Sequence, residues 1–166
     1  WHSSESEPPL MKSHSAIQVS STLSATASEV WKQVSTMRGV NHELMPLVRM
    51  TAPAASVSVP FTALPTQRAA FSSWLLLFGI LPFDLHRLRL DEVWEGGFHE
   101  NSTSLVHRVW RHDRSVKAEE TGCTVTDVVQ FEPRIPLLGY VLLPVVRHIF
   151  QNRHRRLKAM FSANSG

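Results

Sequence analysis

Four segments between residues 85 and 133 alternate apolar and polar side chains, and short turn signals separate them. In the first of these, residues 85–94, Leu88 and Leu90 share one face. A period of two predicts strands that bury one face, and short connections predict antiparallel neighbours. Residues 71–78 add an apolar run that fits a strand and a helical turn equally well. An antiparallel sheet of this kind has an apolar face that another element must cover.

The cover for that face is predicted in residues 138–161, where apolar side chains return every three or four positions. This spacing predicts a long helix, and Pro144 should delay or kink its start. The first strand is expected over residues 14–23. A short helix should follow it, because Thr26 and Glu29 form the hydroxyl–carboxylate pair of a capping box. The order of strand, short helices, antiparallel strands and long helix predicts an α+β domain.

Glycine and proline suggest the boundaries of the shorter elements. Gly39 is expected to end the first helix. Residues 41–44 should add one more helical turn before Pro46 starts an extended piece. Residues 52–65 show no period and are expected to form an irregular loop or an edge strand.

Composition is that of a globular protein and excludes several classes. The 166 residues suit one domain, and 43% of them are apolar. Cys123 is the single cysteine, so neither an internal disulfide nor a multi-cysteine zinc site can form. The longest apolar runs, residues 74–83 and 135–146, are shorter than the roughly 20 residues that cross a bilayer. Residues 1–12 lack the pattern of a secretory signal, so we expect a cytoplasmic protein.

The net charge of +3 is distributed unevenly. After Glu132 the chain carries no acidic side chain, and six cations follow: Arg134, Arg147, Arg153, Arg155, Arg156 and Lys158. The favoured interpretation is that these cations complement the dipole of the last helix and keep one of its faces in water. The alternative is peripheral contact with an anionic membrane through the C-terminal helix. No nucleic-acid-binding motif accompanies the charge, so nucleic acid is not an expected partner.

The hairpin of residues 106–114 and 125–133 brings polar side chains toward the core. If its loop holds an even number of residues, Arg114 lies opposite Asp127 and shares a face with His112. The same inward face would hold Arg108, Trp110, Val125, Val129 and Phe131. The opposite face, expected in solvent, would hold His107, Arg111, Asp113, Thr124, Thr126, Val128 and Gln130. An inward arginine must be paired. The pair would either fix the strand register or anchor a polar group of a ligand, and the first interpretation is slightly favoured.

His112 and Asp127 are the candidate catalytic residues, because a carboxylate holds a histidine in one tautomer and suits it to proton transfer. No nucleophile motif, phosphate loop or dinucleotide motif is present, so no cofactor is expected. His107 and His112 are five apart on a strand and should point to opposite faces. His148 and His154, six apart on a helix, are also separated, so no metal site is predicted.

Several stretches, taken in order, resemble the START-like superfamily, also called SRPBCC, the family of the helix-grip fold. These stretches are residues 17–31, 41–46, 97–102, 110–114 with 122–134, and 150–157. The resemblance covers roughly residues 14–161 and is closest to bacterial members of the polyketide cyclase/dehydrase and coenzyme-Q-binding types. It implies a curved antiparallel sheet wrapped around the long C-terminal helix, with two short helices after the first strand and an apolar cavity between sheet and helix. Residues 52–74 match no part of the family.

The resemblance implies a START-like ligand-binding domain over residues 14–162, preceded by a disordered tail over residues 1–13. Its expected function is binding, extending to transport, of a hydrophobic small molecule such as a lipid, quinone or polyketide. The expected apolar walls are Leu76, Phe78, Phe83, Trp94, Trp110, Val129, Phe131, Val146 and Phe150, and the polar end is His112, Arg114 and Asp127. The alternative is an enzyme of the polyketide aromatase/cyclase type that transfers protons through His112 or Asp127. The family shares no single catalytic motif, so the fold alone does not decide between the two, and binding is the first hypothesis.

Overall fold

Seven strands form one antiparallel sheet in the computed structural model, which describes residues 15–163. The strands are β1 Ser15–Leu23, β2 Val48–Met50, β3 Ala69–Leu77, β4 Leu81–Trp94, β5 Gly97–Ser104, β6 His107–Ala118 and β7 Cys123–Pro133. The helices are α1 Ala27–Val34, α2 Met37–Leu44 and α3 Leu138–Ala163, and two 3₁₀ turns span Ala54–Ser56 and Phe61–Ala63. The predicted tail and His14 lie outside the described residues.

The strand order in the sheet is β1-β7-β6-β5-β4-β3-β2. The first strand therefore pairs with the last, and consecutive strands from β2 to β7 pair as a meander. α3 packs against β1, β7 and α2, so it covers the face that the alternation in β4–β7 leaves apolar. The α+β helix-grip fold predicted from the sequence, with two short helices after the first strand, is confirmed.

The capping box forms as predicted, and a second cap corrects the helix boundary that follows it. Thr26 Oγ1 accepts from the Glu29 backbone N–H at 3.3 Å, and Glu29 accepts from the Thr26 N–H at 2.9 Å. α1 ends at Val34, however, because Thr36 caps a new helix by accepting from the Gly39 N–H at 3.1 Å. Gly39 lies inside α2, where an added Cβ would meet an α1 backbone oxygen at 1.7 Å. Gly39 therefore permits the tight corner between the helices instead of ending the first one.

The remaining boundaries show where tertiary contacts settle ambiguous patterns. The apolar run at residues 71–78 belongs to β3, which pairs with both β2 and β4. Residues 52–65, whose sequence shows no period, contain the two 3₁₀ turns. Phe61, in the second turn, packs edge-to-face on Phe98 with ring centroids 5.6 Å apart. α3 begins at Leu138 with Pro144 inside it, so the expected delay of the helix start does not occur.

A bulge in β6 reverses the face of its first residues. His107 pairs with Pro133 and Val109 with Glu132, so β6 advances two residues while β7 advances one. Such an insertion interrupts the period-two alternation. His107 is consequently buried, while the Arg108 side chain is 54% exposed. The sequence-based assignment of His107 to the solvent face and Arg108 to the inner face is therefore wrong. The predicted pairing of Arg114 with Asp127 is confirmed.

Candidate functional site

A cavity of about 370 Å³ lies between the concave face of the sheet, α2 and α3. Its walls come from α2, strands β2–β6, the second 3₁₀ turn and the middle of α3, and they are mostly apolar. Phe83 and Val145 line this space and are also 45% and 46% exposed, so the cavity opens beside them. Its size and lining are those of a pocket for a small organic ligand.

Five of the predicted wall and polar residues line this cavity: Phe83, Trp110, His112, Val146 and Phe150. Val129 and Phe131 are fully buried in the apolar cluster behind the wall, where the Phe131 ring stacks on Trp110 with centroids 6.0 Å apart. They support the wall without lining it.

Leu76, Phe78 and Trp94 lie outside the cavity, which corrects their assignment as walls. Leu76 points away because its neighbours Leu75 and Leu77 line the cavity and side chains alternate along a strand. Phe78 sits at the end of the β3–β4 hairpin with a positive φ and is 62% exposed. Trp94 lies on the outer face of the sheet against an exposed histidine ring.

Asp127 is the centre of a buried hydrogen-bonding network behind the cavity wall. Arg114 donates to both of its oxygens, from Nε at 2.8 Å and from Nη2 at 2.7 Å. His112 Nε2 lies 2.6 Å from one oxygen, and His154 Nε2 lies 2.8 Å from the other. A carboxylate has about four acceptor sites, and these four contacts occupy them. Neither Arg114 nor Asp127 lines the cavity, so the polar end assigned to them is engaged within the protein.

Glu43 of α2 completes the network from a part of the chain that the sequence did not connect to it. It accepts from Arg114 Nη1 at 2.8 Å and from Arg153 Nε at 3.0 Å. Arg153 also lies over the Phe150 ring, 5.0 Å from its centroid. Burial alone would raise the pKa of Glu43, but the two arginines hold it below its ordinary value of 4.5. The positive charges of Arg114 and Arg153 therefore balance the negative charges of Glu43 and Asp127.

His112 lies between two carboxylates. Its Nε2 faces Asp127, and its Nδ1 lies 3.3 Å from Glu100 Oε2. Glu100 also accepts from Ser102 Oγ and pairs with His86 Nε2, both at 2.7 Å. Burial would lower the pKa of His112, but the charge and hydrogen bond of Asp127, together with Glu100, raise it above 6.5. Both ring nitrogens thus face acceptors, which favours the doubly protonated imidazolium.

The two carboxylates beside His112 stay ionised. Burial would raise the pKa of Asp127, but the charge and hydrogen bonds of Arg114, then of His112, hold it well below 3.8. Burial would likewise raise the pKa of Glu100, but hydrogen bonds from His112 and His86 hold it below 4.5. The imidazolium is therefore fixed between two anions.

A second polar group forms where the bulge turns His107 inward. Its Nδ1 lies 3.3 Å from Ser104 Oγ and 3.8 Å from Asp84 Oδ2. Asp84 also accepts from the Val106 backbone N–H at 3.1 Å. Burial would raise the pKa of Asp84, but hydrogen bonds from His107, Ser104 and Val106 hold it below 3.8. His107, Asp84 and Val106 all line the cavity.

Sequence reasoning missed most of these polar residues, although part of the signal was present. Asp84 and His86 continue the inward parity of Leu88 and Leu90: His86 lay within the predicted strand, and extending that strand by one residue would have added Asp84. Arg153 falls on the apolar face of α3 with Phe150 and Leu157, so its inward placement was readable, but its partner was not. Glu43 and His154 carry no such signal, since only the packing of α2 and α3 brings them to Arg114 and Asp127.

Neither a metal-binding cluster nor a membrane-spanning helix is found in the part of the chain that the structure describes. Within residues 15–163, no group of three or more His, Cys, Asp or Glu side chains is placed to hold a metal ion. Among the described helices, none combines the length and apolar character that crossing a bilayer requires.

Comparisons with known proteins agree with this architecture. A family model described as "Domain of unknown function (DUF8410)" matches residues 21–161. No curated protein sequence matches the chain. A START superfamily protein from Mycobacterium smegmatis superposes with a TM-score of 0.64 at 8% identity, covering 92% of this chain and 100% of its own.

Two further solved structures are similar to the same extent. An aromatase/cyclase from a Streptomyces species has a TM-score of 0.63 at 11% identity and covers 90% of this chain and 94% of its own. A protein from Chromobacterium violaceum has a TM-score of 0.62 at 14% identity and covers 89% of this chain and 97% of its own. At these identities the similarity establishes the START-like fold that the sequence predicted.

Proposed function

This chain belongs to the family described as "Domain of unknown function (DUF8410)", and we propose that it binds, and carries, a hydrophobic small molecule in its cavity. The observation that supports this proposal is the cavity of about 370 Å³ with its mostly apolar walls. Burying apolar ligand surface there supplies the driving force for binding. A lipid, a quinone or a polyketide would suit walls of this chemistry. The cytoplasmic location expected from the sequence remains a prediction.

The alternative, a cyclase-type enzyme acting through His112 or Asp127, receives less support from the geometry. A general base needs a free lone pair near the proton it removes. The contacts that Asp127 makes with Arg114, His112 and His154 occupy its acceptor sites. His112 faces a carboxylate from each ring nitrogen, so its protons are held in place. This network suits a rigid wall better than a proton shuttle.

The binding proposal is tested by filling the cavity. Val146 lines it and is buried, whereas Val141 lies one and a half turns earlier in α3 and is 62% exposed. We expect the wild-type protein, isolated from its own host, to carry a defined small molecule in native mass spectrometry. Val146→Phe should lose most of that adduct, and the matched control Val141→Phe should retain it.

A titration with 1-anilinonaphthalene-8-sulfonate, an anionic dye whose aromatic rings enter apolar cavities, completes the test. Enhanced fluorescence should follow the same order, strong for wild type and Val141→Phe and weak for Val146→Phe. Thermal unfolding would verify that all three proteins are folded. A wild-type protein with neither an adduct nor dye binding would overturn the proposal, as would equal binding by all three.

A second proposal concerns the surface around the cavity opening, which we call the apolar rim. The rim consists of exposed side chains from the β3–β4 hairpin, the β5–β6 loop and the start of α3: Phe78, Ile80, Leu81, Phe83, Leu105, Ile135, Leu137, Leu138, Tyr140, Val141 and Val145. Phe83 and Val145 belong to both the rim and the cavity wall. Exposed apolar surface of this extent beside a cavity opening marks an interaction site.

We propose that the apolar rim docks on an anionic lipid bilayer, where the cavity exchanges its ligand. Arg134 and Arg147 flank the α3 part of the rim, both are exposed, and no acidic side chain follows Glu132. Apolar side chains bordered by cations fit the headgroup region of such a bilayer. The sequence-based alternative, contact through the C-terminal helix, would also allow Arg155 and Arg156 near its other end, but no exposed large apolar side chain of the described residues lies there.

Vesicle binding distinguishes the two ends of α3. Ile80 and Tyr140 are 82% and 84% exposed, so replacing both by serine should leave folding intact. Ile80→Ser with Tyr140→Ser should lose sedimentation with phosphatidylcholine–phosphatidylserine vesicles, and Arg155→Gln with Arg156→Gln should retain it. Unchanged binding of the serine variant would refute the rim. Loss by the glutamine variant alone would place the contact at the other end of the helix.

A further inference from the structure

One buried polar atom of the described residues is left without a partner, and it belongs to the cavity wall. Among buried side-chain nitrogen and oxygen atoms in residues 15–163, His107 Nε2 is the one without a hydrogen bond. Buried polar groups in folded proteins are nearly always hydrogen-bonded, so each exception calls for an explanation. His107 is only 7% exposed and lines the cavity.

The orientation of the His107 ring is set by the protein on one edge only. Nδ1 faces Ser104 Oγ at 3.3 Å and the Asp84 carboxylate at 3.8 Å. The His107 backbone N–H also donates to Ser104 Oγ at 2.9 Å, which fixes the residue at the bulge. Nε2 lies on the other edge of the ring, away from this carboxylate. The aromatic neighbours of the ring are Trp110 and Phe131, with centroids 5.1 and 5.3 Å away, and Trp110 itself lines the cavity.

The other polar side chains of the wall are already engaged. His86 pairs with Glu100 at 2.7 Å, His112 lies between two carboxylates, and Arg153 donates to Glu43. A ligand group would have to break one of these contacts to bind at His86 or His112, whereas Arg153, which uses Nε alone here, can offer a ligand only hydrogen-bond donors. At His107 a ligand hydroxyl would displace no existing hydrogen bond, but the ring must turn slightly to present Nε2, because that atom is covered in this structure.

We propose that His107 Nε2 accepts a hydrogen bond from a hydroxyl group of the bound molecule. A carboxylate near Nδ1 favours the tautomer with its proton on that nitrogen, which leaves Nε2 as an acceptor. The bound molecule is therefore an apolar compound with an alcohol or phenol group at the end beside His107. This inference rests on the proposed function, since it concerns how the same cavity selects its ligand.

The test compares two probes of nearly equal shape, 2-naphthol and 2-methylnaphthalene. They differ by a hydroxyl in place of a methyl group, so the ratio of their dissociation constants isolates the hydrogen bond. For each protein, calorimetry gives the dissociation constant of 2-methylnaphthalene divided by that of 2-naphthol. This ratio should be about tenfold larger for the wild-type protein than for His107→Phe. The matched control is His99→Phe on the outer face of the sheet, where the histidine side chain is 48% exposed. It should keep the wild-type ratio.

A second measurement uses the wild-type protein alone, so it is independent of any change that His107→Phe makes in the cavity wall. In ¹⁵N spectra of the wild-type histidine rings, 2-naphthol should shift the Nε2 signal of His107 toward that of a hydrogen-bonded acceptor, and 2-methylnaphthalene should not. Equal probe ratios in wild type and His107→Phe, together with an unshifted Nε2 signal, would overturn this inference while leaving ligand binding in place. Binding of neither probe by the wild-type protein would instead count against the proposed function and remove the basis of this inference.

Discussion

Arg114 and Asp127 lie directly opposite each other on β6 and β7 and form a bidentate ion pair, with Nε–Oδ1 and Nη2–Oδ2 distances of 2.8 and 2.7 Å. Both side chains are fully buried. Charges in such a position must be paired to be tolerated. The pair therefore links strand register to the electrostatics of the core.

Replacing Asp127 by asparagine should destabilise the protein by about 3–5 kcal/mol, because Glu43 alone then faces both Arg114 and Arg153 and one buried positive charge is left uncompensated. The matched control is Asp113→Asn on β6, where the carboxylate pairs with His99 and is 50% exposed. That change should stay within about 0.5 kcal/mol. Urea unfolding of both variants measures the difference. A loss at Asp127 no larger than that at Asp113 would show that the buried pair does not stabilise the fold.

Stability should fall in acid as the buried carboxylates take up protons. The pKa values of Glu43, Asp84, Glu100 and Asp127 are all held below their ordinary values of 4.5 and 3.8. Groups with lowered pKa values stabilise the folded state above their ordinary values, and that contribution is lost as the pH falls through the lowered ones. The urea midpoint should therefore hold down to about pH 4.5 and decline below it. A midpoint that stays constant to pH 2 would contradict this arrangement of charges.

His112 should produce the opposite trend on the alkaline side. Its pKa is raised above 6.5 by Asp127 and Glu100, so its stabilising contribution is complete below about pH 6.5. That contribution is lost as the pH rises through the raised pKa. The urea midpoint of the wild-type protein should decline as the pH rises from 6.5 through the raised pKa of His112, and His112→Asn should remove the decline. His99→Asn, at an exposed position, should leave it intact.

Gly39 should not tolerate alanine, although it lies inside a helix. An added Cβ would come within 1.7 Å of an α1 backbone oxygen, so α1 and α2 would have to separate. Overpacking of this kind costs about 1–3 kcal/mol. At Gly139, near the start of α3, the nearest atom to an added Cβ is 3.6 Å away, so Gly139→Ala should be neutral or stabilising by up to about 1 kcal/mol. Thermal unfolding of both alanine variants would decide, and equal melting temperatures would refute the close approach at Gly39.

Local patterns predicted much of the architecture because they report which face of an element is buried. Thr26 and Glu29 marked the start of α1, and the alternation in β6 and β7 indicated that Arg114 faces Asp127. The same reasoning failed at His107, where one inserted residue changed the face of the strand. A bulge leaves no mark in the period of side chains until the partner strand is known.

The sequence by itself determined the order of elements, the helix-grip fold and the inward placement of Arg114, Asp127 and His112. Short-range periodicity and turn length specify the order of elements and the inward residues, and the resemblance of several stretches to the START-like superfamily implies the fold. Only the tertiary structure decided which charges are neutralised and which buried polar atom of the described residues has no partner. Glu43 reaches Arg114 across 71 positions of the chain, and His154 reaches Asp127 across 27. A buried charge is stabilised by whatever lies within a few ångströms of it, and packing brings those partners together from elements that carry no local record of one another.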